Sequence, residues 1–134
     1  MIERDFPAAD EMFDDVMAFV EEELDKADCP LKVSMQIAIA AEEIFVNIAH
    51  YAYPCGQGRM SLAIGHEDGI ITLRFTDSGI PFDPLALEDP DITLNADERD
   101  IGGLGIFMVK KSMDEVLYER RDGQNIFTIS KKIG

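Results

Sequence analysis

At the centre of the chain, residues 60–79 read MSLAIGHEDGIITLRFTDSG. Apolar residues alternate with small or polar ones on both sides of Asp68-Gly69, a pair that favours a two-residue turn because both positions accept a positive φ. The stretch therefore predicts an antiparallel β-hairpin. By the same alternation Asp77 falls on the apolar side of the second strand. Gly, Pro and Asp then dominate residues 79–84 and predict an irregular loop.

Two amphipathic helices are predicted before this hairpin. Apolar residues recur every three to four positions over residues 8–27, with Asp10 as the candidate N-cap. The same period over residues 31–53 predicts a second helix, which Pro54 ends.

A narrow polar stripe runs along the second helix. Glu43, Asn47 and His50 lie beside its apolar face, where they would border a cleft at the edge of the core. The amide oxygen of Asn is a ligand that Mg²⁺ accepts beside phosphate oxygens, and a Glu one turn away could deprotonate a nucleophile. The alternative is a partly solvated polar face, and the stripe taken alone favours that reading.

The motif Asp77-Ser78-Gly79 ends the central hairpin. A buried carboxylate needs a hydrogen-bond donor, which the amino group of a purine could supply. Gly79 would let the backbone approach the ring closely. A turn in which Asp77 binds its own backbone is the alternative.

After the hairpin, residues 85–101 are acidic, lack apolar periodicity and predict a lid loop. Gly102-Gly103-Leu104-Gly105 then opens a short helix, whose first backbone amides could bind phosphate; a flexible hinge is the alternative. A second hairpin is predicted around Asp122-Gly123, with strands at about 115–120 and 125–131.

This order of elements predicts the fold class. Helices and hairpins that do not alternate strictly indicate an α+β two-layer sandwich, with the helices on one face of a mixed, mostly antiparallel sheet. The 134 residues show no linker or internal repeat, so residues 1–134 are expected to form a single domain.

Charge and composition exclude several classes of partner. Asp and Glu total 27 against 12 Lys and Arg, a formal net charge of -15, which disfavours nucleic acid and anionic membrane surfaces. No apolar run approaches the roughly 20 residues that cross a bilayer. Without a secretory signal or a disulfide framework, the chain is expected to be cytoplasmic with reduced thiols.

Together these motifs resemble those of the Bergerat-fold (GHKL) ATP-binding family, which includes gyrase, histidine kinases, heat-shock chaperones and mismatch-repair proteins. The polar stripe, the Asp-Ser-Gly motif and the glycine-opened helix match its N, G1 and G2 boxes. A closer resemblance, over essentially the whole chain, is to the anti-sigma factor serine/threonine kinases. The segments that carry it are EIFVNIAHYAY (43–53), DSGIPFDP (77–84) and GGLGIFMV (102–109).

The resemblance implies ATP and Mg²⁺ as cofactors and assigns a role to each matching residue. Asn47 would coordinate Mg²⁺, and Glu43 would be the general base. Asp77 would receive the adenine amino group. The further nucleotide contacts that it implies are Gly79 and Thr128 at adenine, Gly103 and Gly105 at the phosphates, and Arg99 near the γ-phosphate or the partner interface.

The implied function is transfer of the ATP γ-phosphate to a Ser on an anti-sigma antagonist protein, as part of a partner switch. A sigma factor is a possible second partner, and a homodimer is a possible assembly. One position departs from the family, because Pro81 replaces the second Gly of the G1 box and lacks an N–H. The alternative is therefore a module, with or without nucleotide, that sequesters a partner without phosphotransfer. An isolated histidine-kinase catalytic domain is a third, less favoured reading.

Overall fold

The structure, a computed structural model, describes residues 1–54, 58–81, 83 and 103–133. A 3-10 turn over Asp10–Met12 precedes the first helix, and a π-helical turn over Ile48–Ala52 extends the second. The elements in chain order are β1 (Ile2–Pro7), α1 (Phe13–Lys26), α2 (Leu31–Asn47), β2 (Arg59–Glu67), β3 (Ile70–Asp77), α3 (Gly103–Ser112), β4 (Glu115–Arg121) and β5 (Gln124–Lys132).

The described strands form one sheet in the order β1-β2-β3-β5-β4, and each neighbouring pair is antiparallel. One face of the sheet packs on the helices. The core between these layers includes Leu62, Phe75 and Ile129 from the strands and Phe19 and Phe45 from the helices. The predicted α+β two-layer sandwich is therefore confirmed, with an antiparallel sheet in place of a mixed one.

Strand β1 was not predicted, because its apolar alternation is interrupted by charge. Arg4 occupies an inward position, facing the same way as Phe6. Its guanidinium lies 4.6 Å from the ring centroid of Phe19, and it forms an ion pair of 3.9 Å with Glu22. The arginine stem thus covers apolar surface while its charged end stays half exposed, which a pattern of apolar residues does not reveal.

The two upstream helices differ from the prediction at their ends. Helix α1 begins only at Phe13, and Asp10 makes no capping hydrogen bond. Helix α2 ends at Asn47 and continues as the π-helical turn, whose larger number of residues per turn changes the direction of the side chains that follow. His50 consequently leaves the predicted stripe, and its Nε2 lies 2.7 Å from Oδ1 of Asp10.

The predicted hairpins and the third helix are confirmed. Positive φ angles at both residues of Asp68-Gly69 and Asp122-Gly123 give the expected tight turns. Helix α3 begins at Gly103. The predicted lid, residues 85–101, lies outside the described residues. Within the described part of the chain, no helix is long and apolar enough to cross a membrane.

Replacing Phe75 tests the central position of β3 in the core. Phe75 is fully buried, so Phe75→Ala should lower the free energy of unfolding by about 3–5 kcal/mol, because it removes a large apolar contact and leaves a cavity. Ile70→Ala, at an exposed position of the same strand, should cost less than about 1 kcal/mol. Urea denaturation of both variants measures the difference, and equal losses would contradict this packing.

Candidate functional site

A pocket of about 40 Å³ lies between the end of α2, the end of β3, α3 and the β4–β5 hairpin. It brings together Asn47 and Asp77, two of the residues singled out in the sequence. Their neighbours are mostly apolar, as in sites for flat organic ligands. The lining residues are Ile44, Asn47, Ile48, Ala52, Asp77, Ile106, Tyr118, Asn125 and Phe127.

At one edge of the pocket, Asn47 and Glu43 are joined by a hydrogen bond. The amide Nδ2 of Asn47 donates to Oε1 of Glu43 over 3.2 Å. The predicted spacing of one helical turn is therefore realised as a contact. Because the amide nitrogen is used in this way, the Oδ1 of Asn47 is left as an acceptor, and no described residue donates to it.

Glu43 is half-buried, and burial raises the pKa of its carboxyl above the ordinary value of 4.5. The hydrogen bond from Asn47 opposes this shift, and the negative charge of the neighbouring, exposed Glu42 adds to it. A carboxylate with a raised pKa is a stronger base than an exposed one, which suits proton abstraction.

Asp77 is 5% exposed and ends β3 on the core face, as its alternation predicts. Its Oδ1 accepts from the backbone N–H of Gly79 over 2.9 Å and from Nδ2 of Asn125 over 2.9 Å. The first contact is the local turn that was the alternative reading. The second oxygen, Oδ2, accepts nothing from the described residues and so remains for a donor on a ligand.

Gly79 is needed by the fold itself. A Cβ built at this position would lie 2.2 Å from the carbonyl oxygen of Ala52 and 2.6 Å from its Cβ. The next residue, Ile80, donates its N–H to that same carbonyl over 2.9 Å. The glycine therefore packs against the π-helical turn, a contact that the sequence did not indicate; its expected place beside a base stays a prediction.

Tyr53, which follows the π-helical turn, links two further segments near Gly79 through its hydroxyl group. Its hydroxyl donates to the carbonyl of Arg59 over 2.6 Å and accepts from the N–H of Ser78 over 2.8 Å. Gly58 lies so close to the ring that an added Cβ would fall 2.2 Å from it. The start of β2 and the loop after β3 are thereby joined to the end of α2.

The β4–β5 hairpin supplies residues that sequence reasoning missed. Asn125 is 5% exposed and donates to both Asp77 and the carbonyl of Ile80, while the hydroxyl of Tyr118 donates to its Oδ1 over 2.5 Å. Arg120 donates from Nη1 to the carbonyl of Gly79 over 2.8 Å. The sequence does contain an indication of this role, because Asn125 is a polar residue at a position that alternates with the buried residues Phe127 and Ile129 of β5.

The structure does not bring Thr128 to this pocket. Thr128 is paired with Arg74 and Leu117, on the face of the sheet turned away from the helices, three residues from Asn125. A side chain displaced by an odd number of residues along a strand points to the other face.

The glycine motif is placed only in part. Gly103 is the first residue of α3, Gly105 lies in its first turn, and Ile106 of the same turn lines the pocket. Gly102 and Arg99 lie outside the described residues. The start of a helix thus borders the pocket, as the prediction of a phosphate site requires.

The donor set fits a magnesium ion held jointly with phosphate. No group of three or more His, Cys, Asp or Glu side chains is assembled within residues 1–54, 58–81, 83 and 103–133. Mg²⁺ in nucleotide sites is commonly bound by one or two protein oxygens together with phosphate oxygens and water. The amide oxygen of Asn47 belongs to this class of donor, and its role as a magnesium ligand stays a prediction.

The close contact at Gly79 predicts a large effect of a single methyl group. Gly79→Ala should lower the free energy of unfolding by about 3 kcal/mol, because the added Cβ must displace the backbone of Ala52. The matched control is Gly123→Ala. Its φ of 78° is unfavourable for alanine, but no atom lies within 4 Å of the added Cβ, so the free energy of unfolding should fall by only about 1 kcal/mol. Urea denaturation compares them, and a smaller loss for Gly79→Ala would contradict the contact.

Comparison with known proteins gives the family of the chain and one relative of similar length. The chain from residue 6 to residue 131 matches the model of the histidine kinase-like ATPase domain. The serine/threonine-protein kinase BtrW of Bordetella bronchiseptica is 25% identical over 100 residues, which cover 74% of this chain and 70% of BtrW.

Two solved structures share the fold. The RsbU and RsbW domains of Rv1364c from Mycobacterium tuberculosis align with a TM-score of 0.65 and 15% identity over 99% of this chain, which spans only 33% of that longer one. The SiaB–SiaC complex from Pseudomonas aeruginosa aligns with a TM-score of 0.60 and 17% identity, covering 98% of this chain and 89% of the other.

The family match spans nearly the whole chain, including the polar stripe of α2, the Asp-Ser-Gly motif after β3 and the start of α3. The resemblance that these motifs carry in the sequence is therefore confirmed. The chain belongs to the histidine kinase-like ATPase domain family.

Proposed function

We propose that this protein is an anti-sigma-type serine/threonine kinase, which binds ATP with Mg²⁺ and transfers the γ-phosphate to a Ser on a partner protein. One observation carries the proposal. Glu43, with its raised pKa, is hydrogen-bonded to Asn47, and Asn47 lines the same pocket as Asp77. The proposed base therefore lies beside the pocket that the proposed metal ligand and the proposed adenine acceptor line.

The pocket suits the parts of ATP in turn. The apolar walls and the Oδ2 of Asp77 would receive adenine and its amino group. The start of α3 would face the phosphates, because the first amides of a helix are unpaired and carry partial positive charge. The amide oxygen of Asn47 would hold Mg²⁺, which neutralises phosphate charge when it is bound. That neutralisation matters in a protein with a net charge of -15.

Glu43 would act on the acceptor hydroxyl. As the serine oxygen forms its bond to the γ-phosphorus and the bond to the ADP oxygen breaks, the carboxylate takes the hydroxyl proton. The Nδ2 of Asn47 donates to Oε1 of Glu43 and would orient the carboxylate for this transfer.

Partner exchange would be the output of this chemistry. BtrW is named as a serine/threonine-protein kinase, and one structural relative is recorded as a complex of two proteins. By the family resemblance of its motifs, the proposed acceptor is an anti-sigma antagonist protein, and a sigma factor is a further proposed partner. A homodimer and a cytoplasmic location belong to the same proposal.

A second candidate function is binding of nucleotide and partner without phosphotransfer. Pro81 favours it, because this exposed residue follows the Asp-Ser-Gly motif and has no N–H to offer a phosphate or a partner. The raised pKa of Glu43 favours the kinase, since a binding module has no use for a base.

A calorimetric titration with ATP and ADP, with Mg²⁺ and with EDTA, tests the nucleotide site. The affinity for ATP should fall sharply in EDTA, because Asn47 and the phosphates would share the ion. Asn47→Ala should weaken binding in Mg²⁺ by at least about tenfold. The control Gln36→Ala removes an amide from the same helix and should leave the affinity unchanged. Binding that is equal with and without Mg²⁺ would remove the role given to Asn47, and no binding at all would reject the site.

Replacing Glu43 separates binding from chemistry. Glu43→Gln should retain ATP binding and stop transfer of labelled γ-phosphate to the partner, whereas Glu21→Gln, at an exposed position of α1, should retain both. A fully active Glu43→Gln variant would show that Glu43 is not the base.

Thermal unfolding against pH provides a second readout of Glu43 that needs no partner. A carboxyl whose pKa is raised in the folded state binds protons more tightly there than when unfolded, so it lowers stability as the pH rises above its ordinary pKa. Glu43→Gln should therefore be more stable than the wild type at pH 7, and this advantage should disappear below about pH 4. An advantage that is equal at both pH values, or is shared by Glu21→Gln, would contradict the raised pKa.

A further inference from the structure

We infer that Asn125, held in place by Tyr118, selects adenine over guanine by occupying one of the two oxygens of Asp77. The inference rests on the proposed function, because it takes the pocket as the site of a purine nucleotide. It assigns a specificity role to residues that none of the predicted motifs contains.

The orientation of the Asn125 side chain is fixed by its neighbours. Its Nδ2 donates to Oδ1 of Asp77 over 2.9 Å and to the carbonyl of Ile80 over 2.8 Å. Its Oδ1 accepts from the hydroxyl of Tyr118 over 2.5 Å. The reverse orientation would place the amide oxygen against two acceptors and the amide nitrogen against the hydroxyl, so the network determines which atom faces Asp77.

The same network saturates one oxygen of the carboxylate. A carboxylate oxygen has two lone pairs directed at donors, and the Oδ1 of Asp77 already receives Asn125 and the N–H of Gly79, each over 2.9 Å. Within the described parts of the chain only Oδ2 is left without a donor. Asp77 therefore offers a ligand one acceptor oxygen instead of two.

This difference matters for the choice between purines. Guanine presents two adjacent donors, N1–H and the 2-amino group, which match the two oxygens of an unoccupied carboxylate in a bidentate contact. Adenine presents one amino group, beside an acceptor nitrogen, and needs one oxygen. With Oδ1 occupied, the second donor of guanine would be buried without a partner, and that loss discriminates against guanine.

The loop that carries Asp77 is also anchored to the β4–β5 hairpin, which prevents the carboxylate from turning. Arg120 donates to the carbonyl of Gly79, and Asn125 donates to that of Ile80. Asp77 and Asn125 are themselves register partners on neighbouring strands. The single free oxygen is thus held in one direction by backbone pairing as well as by side chains.

Measuring the dissociation constants of ATP and GTP in the presence of Mg²⁺ would test the inference. The wild type should bind ATP at least about tenfold more tightly than GTP, and Asn125→Ala should reduce that ratio about tenfold, because one unpaired buried donor accounts for roughly that factor. Tyr118→Phe should reduce the ratio less, since the amide remains but loses its fixed orientation. Ser130→Ala, on the same strand but on the opposite face of the sheet, should leave it unchanged.

The possible results separate this inference from the proposed function. If the wild type binds ATP and a folded Asn125→Ala keeps the wild-type ratio, the specificity role is wrong and the nucleotide site stands. If Asn125→Ala does not fold, Tyr118→Phe decides, because it removes only a hydroxyl, and an unchanged ratio overturns the inference. A wild type that binds neither nucleotide overturns both.

Discussion

The close approach of Gly79 to Ala52 is the contact on which the site depends. It brings the loop after β3 against the π-helical turn. There the N–H of Ile80 donates a hydrogen bond to the carbonyl of Ala52. Asn47 lies directly before that turn, and Asp77 lies two residues before that glycine. The two polar residues therefore share a pocket because a helix end and a strand end pack without an intervening side chain.

Short-range patterns predicted the parts of the fold that they determine. The alternation around Asp68-Gly69 gave the central hairpin, and it placed Asp77 on the core face. Helical spacing joined Glu43 to Asn47, since a contact one turn apart depends only on the local helix. These residues of the site could therefore be anticipated without any knowledge of tertiary packing.

The features that were not anticipated depend on packing or on register. Strand β1 was not predicted because Arg4 occupies one of its inward positions. The stem of this side chain is apolar although its end is charged. His50 left the predicted stripe because a π-helical turn interrupts the period of α2. Asn125, and not Thr128, reached the pocket because the pairing of β3 with β5 decides which residue lies opposite Asp77. No local pattern encodes that alignment.

The aromatic composition gives this pocket a natural optical reporter. The chain has three tyrosines and no tryptophan. Tyr118 lines the pocket, and the hydroxyl of Tyr53 is hydrogen-bonded to Arg59 at the start of β2 and to Ser78 in the loop after β3, whereas Tyr51 is exposed. Two of the three tyrosines therefore contact the pocket or the segments next to it through their hydroxyl groups. The intrinsic fluorescence of the unlabelled protein can report on ligand binding without a tryptophan background.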